Sequence, residues 1–205
     1  MSLTTIDDAG RLETVRLGMW AFLASELMFF GPLLLGWAYG RISMPDGFAW
    51  ASRQTDLWLG TLNTAILLSS SAAMALAVQL SALQLKRQVG RCLLACAALG
   101  VVFLLIKFYE WHREWAEHLF PGPDFAGPAH TGAPYFFVVY FSATFLHAIH
   151  LTIGIGVTLT MWRRVHKSLG PLPQPALHAA GLYWHFVDVV WVALFPMLYL
   201  VERTP

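Results

Sequence analysis

The sequence predicts an all-α, polytopic membrane protein in which residues 1–205 form a single domain, a bundle of five transmembrane helices. Three observations predict it: 57% of the residues are hydrophobic, only 12% are charged, and the apolar residues fall in five long runs. Soluble domains are usually about 25% charged, so a chain of this composition is better surrounded by lipid than by water. The apolar runs are continuous rather than alternating, which favours helices over a closed β-barrel.

The five runs lie at residues 17–39, 57–83, 92–111, 135–161 and 180–201. Each reaches the roughly 20 residues that a helix rising ~1.5 Å per residue needs to cross the hydrocarbon core. Helix breakers and charges stand between the runs, as in Pro45-Asp46-Gly47, Lys86-Arg87, Pro121-Gly122-Pro123 and the segment 171–175. No small-residue cleavage site ends the charged first sixteen residues, so we expect the first span to be retained.

The lysines and arginines near the spans predict the orientation in the membrane. One side carries eight of them, namely Arg11, Arg16, Lys86, Arg87, Arg91, Arg163, Arg164 and Lys167. The other side carries five, namely Arg41, Arg53, Lys107, Arg113 and Arg203. We therefore expect a cytoplasmic N-terminus and a C-terminus outside.

Composition and motifs also exclude several function classes. The net charge of +1 provides no basic face for nucleic acid. Cys92 and Cys96 lie one helical turn apart in an apolar run, which is typical of small core residues rather than of a disulfide or a metal site. The sequence shows no nucleophile with its base, no phosphate loop and no set of haem ligands. We predict that the chain performs no chemistry by itself.

Glu26 lies near the middle of the first predicted span. An ionised carboxylate at that depth costs a few kcal/mol, so we expect Glu26 to face protein or to be protonated. Two interpretations follow. Glu26 either makes a structural hydrogen bond to a neighbouring helix or forms a proton-responsive site against a partner subunit.

The last two predicted spans carry polar residues at helical spacing. His147 and His150 lie three residues apart on one face, and His185 and Asp188 repeat this spacing. We expect an interhelical hydrogen-bond network in which Asp188 holds an imidazole in one tautomer. A metal site remains open as an alternative, because paired histidines on one face do not establish that ligands converge.

Two further polar groups belong to the same predicted structural network. Asn63 lies with Ser70 on a polar stripe of the second span, where small polar side chains let helices approach closely. Lys107 and Glu110, three residues apart, can pair with each other or extend to the membrane surface. We favour an interfacial ion pair.

Four segments resemble one known family, subunit III of the haem–copper oxidases. They are 19–30 (MWAFLASELMFF), 62–70 (LNTAILLSS), 144–154 (TFLHAIHLTIG) and 183–191 (YWHFVDVVW). In that order they resemble the family's glutamate-bearing helix, the next helix, the histidine helix and the last helix. The last segment is the most specific of the four.

The resemblance implies the non-redox subunit III of a bacterial haem–copper terminal oxidase, of the cytochrome c or quinol type, in aerobic respiratory electron transport. Such a subunit lies in the bacterial cytoplasmic (inner) membrane, packs directly on catalytic subunit I in a complex that includes subunit II, and stabilises subunit I. It holds phospholipid and supports proton uptake, and the haem and copper reside in partner subunits.

The resemblance also assigns two acids. Glu26 corresponds to the carboxyl group that carbodiimides modify, and Glu110 to the acidic residue that ends the third of these helices. The seven-helix form of the family has two further N-terminal helices, whereas five helices are usual in the bacterial quinol oxidase form.

Three alternatives stay open at this point. The chain could be a subunit III-like accessory protein of nitric oxide reductase, or a stand-alone membrane metalloenzyme that uses His147, His150 and His185. A small proton-coupled transporter would use Glu26 and Asp188 as carriers and would predict an inverted repeat. We see no internal repeat in the sequence.

Overall fold

The computed structural model describes residues 3–128, 131–167, 172 and 174–200, with side chains from residue 17 onward. Six α-helices follow one another and end in a π-helical turn: α1 Leu3–Ser43, α2 Pro45–Gln54, α3 Leu57–Ala82, α4 Lys86–Ala116, α5 Ala133–Lys167, α6 Gln174–Phe195 and the turn Pro196–Leu200. These described ranges contain no strand, which confirms the all-α class.

Five helical segments are long and apolar enough to cross a membrane, as predicted. They are Leu17–Ser43, Leu57–Ala82, Lys86–Ala116, Ala133–Lys167 and Gln174–Leu200. Most extend past the predicted limits, because the polar residues that flank an apolar run, such as Lys86 and Glu114, are themselves good helix formers. The orientation of the termini stays a prediction.

The first connection is helical, where the sequence analysis expected a break. Pro45 begins α2 because proline fits the first turn of a helix, where its missing N–H would have no partner. Gly47, two residues later, lies against the backbone of the segment that precedes α5. A Cβ atom at Gly47 would lie 1.9 Å from the carbonyl oxygen of Thr131.

Four of the long helices form a closed ring around the core. Helix α3 packs against α4 and α6, and α5 packs against the same two helices from the opposite side. The largest fully buried side chains include Phe103 on α4, Tyr140 on α5, and Trp184 and Trp191 on α6. Aromatic side chains therefore fill much of the space inside the ring.

Helix α1 lies outside the ring, against α5 and α6. In the most apolar stretch of α1, only 6% of the residues are buried inside the protein, compared with 56% in the corresponding stretch of α5. Near its end the Tyr135 hydroxyl of α5 donates to the Gly36 carbonyl at 3.1 Å. Gly40 lets the chain approach closely, because a Cβ there would lie 2.4 Å from the Phe48 ring. Helix α1 is thus a peripheral element attached at few points.

We predict that Gly47→Ala lowers the free energy of unfolding by about 1–3 kcal/mol, because the added methyl group meets backbone that cannot move aside. Gly31→Ala in α1 is the matched control. A Cβ at Gly31 has no neighbour within 4 Å, so this change should be neutral or stabilising by up to ~1 kcal/mol. Thermal or denaturant unfolding in detergent measures both variants, and equal stabilities would contradict the packing of α2.

Candidate functional site

A buried lysine on α4 is the centre of the most connected polar cluster. The Lys107 ammonium donates to Glu110 Oε2 at 2.8 Å, to the Tyr140 hydroxyl at 2.8 Å and to the Tyr199 hydroxyl at 2.6 Å. The Tyr199 hydroxyl donates to Glu110 Oε1 at 2.7 Å. All three donors of the ammonium are therefore used. Lys107 is 1% exposed and Glu110 2% exposed, so the two residues form an ion pair that is buried inside the helix bundle. The depth of this pair in the membrane stays a prediction.

Local structure explains how Tyr199 reaches this cluster. Pro196 has no N–H to donate to the preceding turn, and the helix widens into the π-helical turn Pro196–Leu200 at that point. Gly60 of α3 makes room for the ring, since a Cβ at Gly60 would lie 2.9 Å from Tyr199. The sequence analysis selected neither Tyr199 nor Tyr140 as a site residue. A lysine inside an apolar span, which needs three acceptors, was the signal that could have led to both.

Glu114 lies one helical turn beyond Glu110 and was also missed. It is 4% exposed, and neither carboxylate oxygen has a hydrogen-bond partner among the described residues. Its neighbour Arg113 points the other way, to Asp56 at 2.9 Å, and the side chains of that pair are 44% and 29% exposed. This end of α4 thus carries a buried ionic cluster on one face and an exposed ion pair on the other.

Glu26 pairs with His150 and joins α1 to α5. Glu26 Oε2 lies 2.7 Å from His150 Nε2, and His150 Nδ1 lies 2.8 Å from the Leu146 carbonyl oxygen. A carbonyl oxygen only accepts, so Nδ1 carries a proton. Nε2 and Oε2 consequently share one further proton, either as imidazole with carboxylic acid or as imidazolium with carboxylate. Both forms are neutral overall, which suits a site that is nearly closed to its surroundings.

His147 and His150 do not converge. His147 is 1% exposed and packs between rings of α4 and α6, with centroids 5.5 Å from Phe103 and 5.1 Å from Trp191. Neither of its ring nitrogens has a hydrogen-bond partner in the described part of the chain. Residues three apart on a helix diverge by roughly 60° around its axis, and this divergence sends His150 toward α1 and His147 into the ring.

His185 and Asp188 lie on neighbouring turns of α6 without a hydrogen bond between them. His185 Nδ1 is 2.8 Å from the Ser71 hydroxyl of α3 and 3.9 Å from Asp188 Oδ2. Ser71, rather than Asp188, therefore orients this imidazole. The two Asp188 oxygens are buried and have no hydrogen-bond partner among the residues described.

The polar stripe of α3 binds tryptophans of α6. Trp184 Nε1 donates to the Ser70 hydroxyl at 2.9 Å, and Trp191 Nε1 donates to the Thr64 hydroxyl at 3.0 Å. Asn63 is fully buried beside Thr64, and neither atom of its amide has a hydrogen-bond partner in the ranges described. The hydrogen bonds between α3 and α6 at this interface are made by Ser70 and Thr64 rather than by Asn63.

The structure brings no metal-ligand set together within the described ranges. No group of three His, Cys, Asp or Glu side chains there could hold an ion. The three histidines of the metalloenzyme alternative have separate partners: His147 packs against rings, His150 bonds to Glu26, and His185 bonds to Ser71.

An aromatic hollow opens on the outside of α4 and α5. It has a volume of about 450 Å³ and is lined by Trp111, Trp115, Phe120, Phe141, Ser142 and Phe145. Trp111 donates to the Thr144 hydroxyl at 3.3 Å, which fixes one wall of the hollow. Tryptophan is enriched at membrane–water interfaces, so this hollow has the chemistry of a site for the upper part of a lipid chain.

Comparisons with known proteins agree with this architecture and confirm the resemblance found in the sequence. The family described as "Cytochrome c oxidase subunit III" matches residues 8–202. Cytochrome c oxidase subunit 3 of Alkalihalophilus pseudofirmus is 30% identical over 190 residues, which cover 90% of this chain and 85% of that protein. Probable quinol oxidase subunit 3 of Staphylococcus haemolyticus is 26% identical, covering 91% of this chain and 88% of that protein. Heme-copper oxidase subunit I+III of Aeropyrum pernix is 28% identical, covering 92% of this chain but 23% of that longer protein.

We predict that Lys107→Met destabilises the folded chain by about 3–5 kcal/mol, because it leaves the Glu110 carboxylate buried without its cation. Arg113→Met is the matched control and should cost about 0–1 kcal/mol, since its ion pair is exposed to a large extent. The double variant Lys107→Met/Glu110→Gln should recover part of the loss. Denaturant unfolding in detergent measures all three, and similar losses for the two single variants would contradict the role of Lys107.

For the Glu26–His150 pair we expect Glu26→Gln to change the free energy of unfolding by less than ~1 kcal/mol, because the amide can still donate to Nε2. Glu26→Leu fills similar space without a donor and should cost about 1–3 kcal/mol. The same unfolding measurement compares the two variants. A leucine variant as stable as the glutamine variant would show that the bond does not hold α1.

Proposed function

Because this chain belongs to the cytochrome c oxidase subunit III family, and is thus a subunit III of a haem–copper oxidase, we propose that it stabilises the catalytic subunit I, binds membrane lipid and supports proton uptake. The observation that carries this proposal is the family match over residues 8–202, nearly the whole chain. The chain itself is proposed to have no redox activity, with haem and copper held by subunits I and II. The electron donor is cytochrome c or quinol, since relatives of both types are similar to this chain.

Association with subunit I is supported by the relative from Aeropyrum pernix, whose name joins subunits I and III in one protein. A chain fused to subunit I must fold beside it in the same membrane. We propose that the present chain makes the same association as a separate polypeptide, in a complex with subunit II in the bacterial cytoplasmic membrane. Its five apolar helical segments are consistent with this location.

Lipid binding is supported by the aromatic hollow between α4 and α5. Aromatic rings line it almost completely, and its two tryptophans, Trp111 and Trp115, lie in the last two turns of α4. An acyl chain is chemically suited to such walls, and the indoles are suited to the headgroup level. We propose that a membrane phospholipid occupies this hollow in the assembled oxidase.

Support of proton uptake is proposed to involve Glu26 and His150. The pair shares a proton between Oε2 and Nε2 at 2.7 Å, and the charge within the pair moves when that proton moves. Only its side-chain edge is open, with 12% of Glu26 and 11% of His150 exposed. A pair that is neutral in both forms can respond to a proton on a neighbouring subunit without a large cost in the apolar phase.

The experiment that tests the proposed function compares the oxidase purified with and without this chain. We expect loss of the chain to lower the yield of intact subunit I, to reduce the number of turnovers that the oxidase completes before inactivation, and to slow proton uptake at neutral pH. Restoring the full chain should restore all three properties. Unchanged turnover, lifetime and proton pumping would refute the supporting role, and co-purification with nitric oxide reductase subunits would assign the chain to that complex instead.

A further inference from the structure

His185 presents a polar edge inside the last apolar span. It lies near the centre of the 27-residue span Gln174–Leu200, and 41% of its side chain is exposed. Nδ1 is bonded to Ser71, whereas Nε2 has no hydrogen-bond partner in the part of the chain that the structure describes. Nε2 is not buried among these residues, so it lies on the exposed edge of the ring. Hydrocarbon cannot form a hydrogen bond with such a group.

Ser71 contacts this ring rather than bonding to its own helix. Thr61, Thr64 and Ser69 on α3 each donate to the carbonyl oxygen four residues earlier. No such backbone bond exists for Ser71 within the described ranges, and its hydroxyl lies 2.8 Å from His185 Nδ1 and beside the Asp188 carboxyl group. Either tautomer of the imidazole satisfies Nδ1 there and leaves Nε2 as a polar nitrogen on the exposed edge.

The exposed face of α6 is the floor of a groove. Helix α6 packs against both α1 and α3, whereas α1 and α3 make no comparable contact with each other in the described residues. Leu182, His185, Val189 and Val192 follow one another at helical spacing on the outward side of α6, and Val189 is 66% exposed. The floor of the groove is therefore apolar apart from the imidazole of His185.

We propose that a transmembrane helix of the haem-bearing subunit occupies this groove and places a polar side chain, such as a hydroxyl or an amide group, within hydrogen-bond distance of His185 Nε2. A lipid tail would fill the apolar part of the groove but has no hydrogen-bonding group, whereas a polar side chain on a partner helix does. The identity of the partner rests on the proposed function. The choice of face rests on His185 alone.

Site-specific photo-crosslinking in the purified oxidase complex tests the location. A benzophenone amino acid replaces Val189 in the groove, and in a matched control it replaces Leu105, which is 62% exposed on α4. We expect an adduct with the haem-bearing subunit from position 189 and none from position 105. An adduct of two copies of this chain from position 189, an adduct with the haem-bearing subunit from position 105 only, or no adduct from either position would overturn the proposal. If no oxidase subunit co-purifies at all, the proposed function fails together with the docking site. If the oxidase co-purifies but position 189 gives no adduct with the haem-bearing subunit, only the docking site fails.

Substitutions test the polar contact. His185→Leu should weaken retention of the haem-bearing subunit by about threefold to tenfold in a detergent wash, whereas His185→Gln keeps a group that can donate or accept a hydrogen bond and should retain most of the subunit. Should His185→Leu prevent folding, Val189→Trp blocks the groove from an exposed position, with Leu105→Trp as its control. The proposal is overturned if the leucine and glutamine variants retain the partner equally, or if the two tryptophan variants do.

Discussion

The structure depends on one constraint: hydrocarbon provides no hydrogen bonds, so a polar side chain within a span is favoured where the protein surrounds it or supplies its hydrogen-bond partner. Lys107 shows the constraint most clearly, because its three donors reach α4, α5 and the final turn at once. This arrangement fixes the three elements in register. The π-helical turn at Pro196 belongs to the same solution, since it places Tyr199 between Lys107 and Glu110.

The same constraint explains how α1 stays attached. In lipid the hydrophobic effect does not drive helices together, so a helix with little buried surface needs close packing or polar bonds. Helix α1 has both, in the Glu26–His150 pair and in the Tyr135 hydroxyl bond to Gly36. The acid that appeared anomalous in the sequence is therefore a link between α1 and the ring, and its proton is part of that link.

The five spans were predictable because length and apolar content alone decide whether a helix crosses a bilayer. The partners of the polar residues were not predictable from spacing alone. Two residues three apart on a helix share a face but still point roughly 60° apart, and this angle is enough to direct His147 and His150 to different neighbours. Burial of Lys107 depended on tyrosines 33 and 92 residues away along the chain. Helix α2 was missed because a Pro-Asp-Gly sequence also suits a turn, and only its contact with the segment before α5 decides between them.

Polar bonds also distinguish the inside of this chain from the surface that meets a partner. Its exposed apolar side chains are equally compatible with lipid tails and with another protein, so they carry little information about which neighbour is present. Exposed hydroxyl groups such as those of Thr61 and Ser69 donate to carbonyl oxygens of their own helix, so they also give little information about the neighbour. The His185 Nε2 atom is different, because its ring is already held by Ser71 and its free edge faces outward. In a bilayer a single such polar atom can select a face, since lipid tails cannot form the hydrogen bond that it lacks.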